Sequence, residues 1–531
     1  MGQPVQIVSV DQNHIIQLHK EKLEKILLDP KVKDKAVAVV SINGAARKGK
    51  SFLMNFLIRY LCRGKESNWM GDNDTRLEGF DWSTSMNPMT KGIFLWDEAF
   101  LVPTSDGNEM AVFLMDTQGA FDSESTADET ASLFALSILT SSLQIYNVSE
   151  SIQEDDLQHL QFAAEYGKTT QKDANPKPFQ RLVFLVRGWK FPDDQPYGAD
   201  GGSHVVEEVM AIKKEQHHEL QSLRQSLYSS FSSIEGFLLP DPGKKSLRKT
   251  FDGSLCQLDE EFKEMLGVFA PWLLAPEKLH TKRISGQKIT CQELMNYFKV
   301  YTDVFKSPGR FSAKTLLEAT TREINRSAKE KAKEFYKTEL GKETYESIDV
   351  LKRNHTRLLK KAMAQFNRTV KFGDKETSRE YSISLEKEIN DTFDKIYKQQ
   401  MQREQQEKEL ADLTEQLKHA KDKVKIKNLI VSIASVLLPT MVSAFLPAEI
   451  VGPLLIMTLT NIITEQHGTT DHGLDTAELT DLIREVLEKM KSGFGTLMRE
   501  HLYQSCLTEC PFFFVNRKNS IEELSELESR F

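Results

Sequence analysis

The sequence predicts an α/β domain with a mostly parallel sheet, followed by an all-α helical bundle. Three short apolar runs, residues 36–42, 111–115 and 182–187, have the β-branched composition of strands buried on both faces. Helical patterns separate them, for example around residues 51–62 and 129–146. Strands that alternate with helices form mainly parallel sheets with helices on both faces, so we assign residues 1–300 to one α/β domain.

The bulk composition is that of a globular protein. Hydrophobic residues make up 40% of the 531 residues and charged residues 27%, which excludes a disordered chain. The formal net charge of −8 gives no global positive field, so nucleic acid is not an expected partner. The five cysteines are few and mostly far apart, as in a reducing compartment. The first 20 residues lack the apolar core of a signal peptide, so any membrane insertion must use a later segment.

A Pro/Gly break at residues 307–310 ends the α/β pattern, and we expect a linker over residues 301–311. Residues 312–427 are rich in Lys, Glu, Leu, Ala and Gln and contain no proline. This composition predicts helices packed in a bundle, here called the helical middle domain. We expect it to act as a structural stalk.

Residues 428–463 differ from their surroundings, because they contain no Lys or Arg and one acidic residue, Glu449. The apolar run Leu429–Leu446 would span roughly 27 Å as a helix, close to the ~30 Å hydrocarbon core of a bilayer. A Pro/Gly break follows it, then a shorter apolar arm. The pattern predicts a membrane hairpin behind a lysine-rich cytosolic flank, with a buried hairpin in a soluble core as the alternative.

The C-terminal tail, residues 464–531, contains one amphipathic segment. Apolar residues recur at helical spacing over residues 474–502, from Leu479 to Leu502. The polar face mixes both charges, so this helix could pack on protein or lie on a bilayer surface. Its position beside the predicted hairpin favours the membrane.

A phosphate-binding loop follows the first apolar strand and opens a helix. Residues 44–51, GAARKGKS, match the pattern G-x-x-x-x-G-K-S in the required strand–loop–helix setting. The glycines let backbone amides face phosphate oxygens, Lys50 brings a positive charge to the β- and γ-phosphates, and Ser51 offers a hydroxyl to Mg²⁺. The helix N-terminus adds its partial positive charge.

Two further segments complete the predicted site. Residues 116–119, DTQG, end the second apolar strand, where Asp116 can hold a Mg²⁺-bound water and Gly119 can approach the γ-phosphate. Thr90 lies in a Pro/Gly-punctuated stretch between the two motifs. It is a candidate second Mg²⁺ ligand, although spacing alone suits a plain loop threonine nearly as well.

With these motifs the chain resembles the atlastins, dynamin-like GTPases of the endoplasmic reticulum. The similar segments are GAARKGKSFLM (44–54), LMDTQG (114–119), QEDDLQHLQ (153–161), YGADGG (197–202), FLLPDPG (237–243) and PWLLAPE (271–277). The resemblance is close over the α/β domain, which it identifies as a GTPase (G) domain. It extends more loosely through the middle domain, hairpin and tail. Guanylate-binding proteins are more distant relatives.

The resemblance implies roles for the matched positions. Arg47 would be an internal arginine finger, Thr90 would belong to switch I, and residues 116–119 would form switch II. A surface arginine is the simpler alternative for Arg47. The implied cofactors are GTP or GDP and Mg²⁺. The predicted catalytic residues are Arg47, Lys50 and Thr90, and the predicted metal ligands are Ser51, Thr90 and Asp116. The predicted nucleotide-binding residues are Gly44, Ala45, Ala46, Arg47, Lys48, Gly49, Lys50, Ser51, Phe52, Asp116, Gln118, Gly119 and Arg187.

One position departs from the family pattern. The third apolar strand of the family ends in Arg-Asp, where the aspartate reads the guanine edge, whereas this chain has Arg187 followed by Gly188. Loss of such an acceptor should cost about 1.5–3 kcal/mol of binding free energy. Asp193 and Asp194 lie close in sequence, but nothing in the sequence brings either to the base.

Three functions are consistent with the sequence. The first is a GTPase that tethers and fuses endoplasmic reticulum membranes through G-domain dimerisation and a swing of the middle domain, with both termini cytosolic. Its expected partners are a second copy of the chain, the lipid bilayer and ER-shaping hairpin proteins. The second is a weak or non-hydrolysing relative with altered base specificity, because of Gly188. The third, a soluble guanylate-binding-type defence protein, is disfavoured by the predicted hairpin.

Overall fold

The computed structural model describes most of the chain up to the end of the long final helix and a few residues beyond it. The described residues are 2–64, 66, 68–82, 90–104, 107–119, 126–171, 177–306, 312–342, 345–369, 375–419, 425, 428–434, 436–437 and 458.

Strands and helices alternate through the first 300 residues. The strands of the described residues are β1 (Pro4–Val10), β2 (Ile16–Leu18), β3 (Ala36–Gly44), β4 (Ile93–Trp96), β5 (Phe100–Pro103), β6 (Glu109–Thr117), β7 (Leu143–Ser149), β8 (Phe179–Arg187), β9 (Phe231–Leu239), β10 (Arg283–Ile284) and β11 (Gln287–Lys288). The helices are α1 (Lys20–Leu27), α2 (Lys50–Arg63), α3 (Ala127–Thr140), α4 (Glu154–His159), α5 (Gln161–Gln171), α6 (Ala199–Met210), α7 (His218–Ser230), α8 (Glu260–Leu274), α9 (Cys291–Lys306), α10 (Ala313–Gly341), α11 (Ile348–Arg368) and α12 (Lys375–His419).

One large mixed sheet forms the centre of the α/β region. Its order in the described residues is β2-β1-β4-β6-β3-β7-β8-β9, with β5 paired to β6. The neighbours from β6 to β9 are parallel, whereas β1, β2, β4 and β5 join the sheet through antiparallel pairs. Since parallel strands run the same way, the carboxyl ends of β3, β6, β7, β8 and β9 lie along one edge of the sheet.

Both faces of this sheet are covered, as the apolar strand composition predicts. In β3 the side chains of Val37 and Val39 join one core cluster, whereas Ala38, Val40 and Ile42 join the other. Helices α3, α5 and α9 contribute to the first cluster, and α2 and α8 to the second. Alternation of side chains across a pleated strand requires this division between two faces. The predicted α/β fold with helices on both faces is therefore confirmed, but the sheet is mixed rather than mostly parallel, because β1, β2, β4 and β5 add antiparallel pairs to the five parallel strands.

The predicted strands are confirmed as β3, β6 and β8, and the first predicted helix is α2. The helix expected around residues 129–146 is wrong over its last third, residues 141–146. Helix α3 ends at Thr140, and Leu143–Ser149 is the buried strand β7. The apolar pattern passes from helix to strand through Ser141 and Ser142 without a glycine or proline, so no strong turn signal marks the boundary.

The Cα packing divides the chain into two compact units, Met1–Glu339 with Leu358–Glu388, and Leu340–Arg357 with Ile389–Phe531. In the first unit the α/β region continues directly into helices. The hydroxyl of Thr320 on α10 hydrogen-bonds with those of Tyr166 and Tyr301, 3.2 Å and 3.3 Å away. Glu293 on α9 pairs with Lys331 at 2.7 Å.

The second unit contains helical segments that pack through aromatic and polar contacts. The ring of His355 stacks on Phe393 with centroids 4.0 Å apart. The Lys352 ammonium lies 5.2 Å from the ring centroid of Tyr397. Long helices that follow the sheet confirm a helical region after the α/β domain. The predicted division into domains stays a prediction: residues 301–306 of the predicted linker belong to α9, and residues 307–311 lie outside the described residues.

Most of the predicted membrane hairpin, residues 428–463, and the whole tail, residues 464–531, lie outside the described residues. Residues 428–434 and 436–437 are helical. Within the described ranges no helix is both long and apolar enough to cross a membrane.

A buried lysine makes the fold sensitive to pH. Lys282 is 1% exposed, its Nζ donates to the carbonyl oxygen of Ser141 at 2.8 Å, and burial lowers its pKa to about 7. Between pH 7 and the ordinary lysine pKa, the unfolded chain binds a proton that the folded chain does not. The free energy of unfolding contributed by this group therefore rises as pH increases.

We expect Lys282→Met to lose this pH dependence. From pH 7 to pH 9 the parent should gain about 2 kcal/mol of unfolding free energy relative to the variant, because each pH unit is worth about 1.4 kcal/mol. Denaturant unfolding of both proteins at several pH values measures the difference. A constant difference across this range would show that Lys282 titrates normally.

Candidate nucleotide-binding site

The candidate site lies where the carboxyl ends of the parallel strands meet. The loop between β3 and α2, residues 44–49, contains the glycine-rich motif and is here called the P-loop. The ends of β6, β7, β8 and β9 lie beside it along the same sheet edge. Ligands of open α/β sheets bind outside this edge, near the point where strand order reverses. Here the order reverses at β3, which has β6 on one side and β7 on the other.

The P-loop backbone is curled as an anion site requires. Arg47 and Gly49 both have left-handed backbone angles, with φ of 62° and 70°. Turns that alternate left-handed and right-handed residues point successive N–H groups into one concave surface that attracts anions. Gly49 is also the N-cap of α2, and no side chain caps that end of the helix. The free amides of the first helical turn can therefore donate to phosphate oxygens.

Lys50 lies beneath this concave surface with its charge held in the loop. Its side chain is 6% exposed, and Nζ donates to the carbonyl oxygens of Gly44 at 3.3 Å and Ala45 at 3.0 Å. Burial lowers the Lys50 pKa to about 8, an effect partly offset by the negative charge of Asp116. A bound phosphate would favour the charged form of Lys50 further, because an opposite charge nearby stabilises the ammonium.

The predicted metal ligands Ser51, Thr90 and Asp116 lie together. Ser51 Oγ donates to Asp116 Oδ2 at 2.5 Å, Thr90 Oγ1 donates to the same oxygen at 3.1 Å, and the two hydroxyl oxygens are 3.2 Å apart. The loop before Thr90, residues 83–89, lies outside the described residues. The structure therefore brings a β-strand end, a helix start and a loop residue to one point.

The oxygen atoms of Ser51, Thr90 and Asp116 form a group that fits Mg²⁺. Asp116 is 1% exposed, and burial raises the pKa of its carboxyl group against the opposing effect of Lys50. Its second oxygen, Oδ1, is buried and accepts no hydrogen bond from the described residues. One carboxylate, hydroxyl oxygens and the phosphates of a nucleotide form the usual oxygen ligand set of Mg²⁺.

Gln118 and Gly119, which follow β6, contact the segment at Gly92 and the P-loop. The backbone N–H of Gly92 donates to Gln118 Oε1 at 2.7 Å, and the N–H of Gln118 donates to the Gly92 carbonyl at 2.7 Å. A Cβ atom on Gly119 would collide with the backbone of Ala46. Only glycine allows this segment to approach the P-loop so closely. Residues 120–125 after it lie outside the described residues.

Two side chains from neighbouring strand ends hold the P-loop at Lys48. Arg187 donates from a terminal guanidinium nitrogen to the Lys48 carbonyl at 2.5 Å, and Asn147 Nδ2 donates to the same oxygen at 3.1 Å. Burial lowers the pKa of Arg187 to about 10, while Asp241 opposes this effect. The sequence analysis does not find Asn147, because the helix predicted over residues 129–146 hides the start of β7, and Asn147 follows directly after that range.

Other predicted residues have different surroundings. The Phe52 ring is buried among aromatic side chains, at 5.2 Å from Phe56 and 5.3 Å from Trp82 between centroids, so only its backbone amide can serve an anion. The Arg47 side chain is exposed on the P-loop. Exposure allows it to reach a group on a facing molecule as well as a phosphate.

Gly188 follows Arg187 at the end of β8 with φ of 69°. A Cβ atom at this position would lie 3.8 Å from Asp241 Oδ2. An aspartate at position 188 would therefore be strained by its left-handed backbone and would lie beside a second carboxylate. Both effects would oppose any gain in guanine affinity from restoring a carboxylate by Gly188→Asp.

Comparison with known proteins agrees with this arrangement. The family model of the guanylate-binding protein N-terminal domain matches residues 13–283. Mouse Atlastin-1 is 42% identical over 396 residues, covering 73% of this chain and 71% of its own length. Human Atlastin-2 is 42% identical over 73% of this chain and 68% of its own length. Human Atlastin-3 is 42% identical over 74% of this chain and 75% of its own length.

Fold and site thus define a P-loop domain of the guanylate-binding type followed by helices. With 42% identity across more than two thirds of full-length relatives, the chain belongs to the atlastin family.

We expect Lys50→Ala to abolish tight binding of a nucleoside diphosphate, because the variant lacks the cation held beneath the P-loop amides. Titration of fluorescent GDP measures this loss. Lys31→Ala, which removes an exposed lysine that precedes the amino end of β3, the end opposite to the P-loop, is the charge-matched control. Equal GDP affinity for Lys50→Ala and the control would show that this loop does not bind phosphate.

Proposed function

We propose that this chain is a dynamin-like GTPase that tethers and fuses membranes of the endoplasmic reticulum. One observation carries the proposal: Lys50, Ser51, Thr90 and Asp116 converge on one point of a P-loop in a chain of the atlastin family. GTP is hydrolysed to GDP and phosphate with Mg²⁺ as cofactor. Nucleotide-dependent pairing of two G domains and a swing of the middle domain draw two bilayers together.

The site chemistry follows from phosphoryl transfer. The transition state spreads negative charge over the γ-phosphoryl oxygens, so catalysis consists mainly of positioning and electrostatic stabilisation. Mg²⁺ neutralises charge on the β- and γ-phosphates when bound. Lys50 and the P-loop amides would hold the phosphates, and Ser51, Thr90 and Asp116 would hold the ion through their oxygen atoms. Gly119 brings the switch II backbone near the γ-phosphate.

Arg47 is proposed to act as the arginine finger. Arg47 has a left-handed backbone in the P-loop and an exposed side chain. The side chain can therefore rotate towards the phosphates when a second G domain covers the site. A guanidinium in that position offsets developing charge and is worth roughly 10³–10⁵ in rate. Pairing of two copies would thereby switch on hydrolysis.

Membrane action is proposed to reside in the C-terminal half. The domain plan is a G domain over 1–300, a linker over 301–311, a helical middle domain over 312–427, a hairpin over 428–463 and a cytosolic amphipathic tail over 464–531. The apolar arms of the hairpin and the lysines before it support insertion from the cytosol. Both termini would then be cytosolic, and ER-shaping hairpin proteins would be neighbours in the membrane.

We expect Arg47→Ala to bind GDP with near-normal affinity and to hydrolyse GTP far more slowly, because the side chain acts only in the paired transition state. Phosphate release at several protein concentrations measures the effect. Arg63→Ala, at the far end of α2, is the matched control. Identical turnover in parent and Arg47→Ala would remove Arg47 from the mechanism. A parent without turnover would favour a non-hydrolysing tether instead.

We expect truncation before Leu429 to give a protein that hydrolyses GTP in solution and does not fuse liposomes, because every site residue precedes residue 300. Sedimentation with vesicles and lipid mixing measure the two properties. A chain that ends at residue 463 should still sediment with membranes, because it keeps the predicted hairpin. Recovery of the full-length protein in the soluble fraction without detergent would contradict the hairpin.

A further inference from the structure

We propose that Asp241 is the carboxylate that reads the guanine base in this chain, in place of the aspartate that Gly188 lacks. The inference rests on the proposed GTPase function and names the residue that sets its base specificity. A guanine edge presents two donors, N1–H and the 2-amino group. A paired acceptor is needed to satisfy both, and a glycine has no side chain to supply one.

The sheet register places Asp241 beside Gly188. Strands β8 and β9 are parallel neighbours with Arg187 opposite Leu239. Their pairing continues past the strand ends, because the N–H of Trp189 donates to the Leu239 carbonyl at 3.0 Å. The chain then turns through Pro240, and Asp241 Oδ2 lies 3.8 Å from the point where a Cβ of residue 188 would stand. The carboxylate therefore lies within a few ångströms of where an aspartate side chain at position 188 would begin.

The side chain of Asp241 is held by its own turn. The backbone N–H of Gly243 donates to Oδ1 at 2.8 Å, as in an Asx turn. Oδ2 is the oxygen directed towards Gly188. The residue is exposed, so a base can reach it. Oδ1 thus accepts the Gly243 N–H and fixes the orientation of the carboxylate, while Oδ2 faces the end of β8. Because each carboxylate oxygen has two lone pairs, both oxygens can still accept from the two donors of a guanine edge.

Arg187 connects this carboxylate to the phosphate side of the site. Asp241 acts on the Arg187 guanidinium, opposing the effect of burial on its pKa. The same guanidinium donates to the Lys48 carbonyl in the P-loop. Asp241, Arg187 and the P-loop thus form one continuous path along the sheet edge, from the candidate base position to the phosphate position.

The alternative carboxylates have no comparable placement. Asp193 and Asp194 are exposed in the segment between β8 and α6. The Asp194 backbone N–H donates to the Phe191 carbonyl, which closes a turn within that segment. Asp241, by contrast, carries a charge that acts on the Arg187 guanidinium.

The test exploits the different edges of purine bases. Xanthine keeps the N1–H donor of guanine but has a carbonyl oxygen in place of the 2-amino group, so it matches an asparagine amide rather than a carboxylate. Adenine has neither donor at these positions. We expect the full-length parent to bind GDP more tightly than XDP or ADP. Asp241→Asn should lose about 10- to 100-fold in GDP affinity and gain in XDP affinity, with ADP unchanged.

Fluorescent-nucleotide competition with GDP, XDP and ADP measures all three affinities. Asp194→Asn is the matched control and should leave them at parent values. Asp241→Ala should lose GDP affinity without gaining XDP affinity. An unchanged GDP-to-XDP ratio in Asp241→Asn would overturn the inference, because the carboxylate would then only balance Arg187. Equal losses for GDP and XDP would overturn it too, since base reading requires a gain for xanthine.

Failure of the proposed function gives a different result. In that case the parent would either bind none of the three nucleotides, or bind them with an affinity that Lys50→Ala does not change. If the parent binds GDP through Lys50 and Asp241→Asn leaves its preference unaltered, the GTPase assignment stands and only the role of Asp241 falls.

Discussion

The hydrogen bond from Ser51 to Asp116 joins the two segments on which the site is built. Ser51 begins α2 directly after the P-loop, and Asp116 ends β6, the parallel neighbour of β3. Both Asp116 and Lys50 are buried, and each buried charge is costly unless an opposite charge and hydrogen bonds compensate it. The hydroxyls of Ser51 and Thr90 provide that compensation for Asp116. The same oxygens are the proposed ligands of Mg²⁺, so one set of contacts would serve both folding and the proposed chemistry.

The parallel register explains why these contacts form. Ile42 of β3 lies opposite Asp116 of β6. The P-loop therefore begins at the same height along the sheet as the buried carboxylate. On the other side of β3, Gly44 lies opposite Asn147 of β7, and Asn147 reaches the Lys48 carbonyl. Neighbouring strands are about 4.8 Å apart, so side chains at successive strand ends can contact one loop. The loop is therefore fixed from both sides by the sheet.

The sequence predicts the parts of this frame that carry strong local signals. The apolar runs of β3, β6 and β8 and the glycine-rich loop are readable because composition and spacing identify them locally. Strand β7 follows α3 without a turn signal, so the predicted helix runs on to residue 146 and hides the strand that holds Asn147. The short antiparallel strands β1, β2, β4 and β5 were not predicted either. Strands β2 and β5 are only three and four residues long. Strand β1 pairs with β4, which lies far away in sequence, and a local pattern does not contain that pairing.

Gly188 and Asp241 show the same limit at the level of chemistry. A motif comparison looks for the base-reading aspartate directly after Arg187. In this chain it finds Gly188 there, and so it reports only that the aspartate is missing. In the folded chain, what decides whether a carboxylate can reach the base is its position along the sheet edge. The end of β9 is next to the end of β8 on that edge. Gly188 has a left-handed backbone that favours glycine, whereas Asp241 lies in a turn that aspartate stabilises with its own side chain. Under the proposal, a carboxylate on the neighbouring strand end would meet the same chemical requirement without the backbone strain, because recognition depends on where an acceptor lies and not on which residue precedes it.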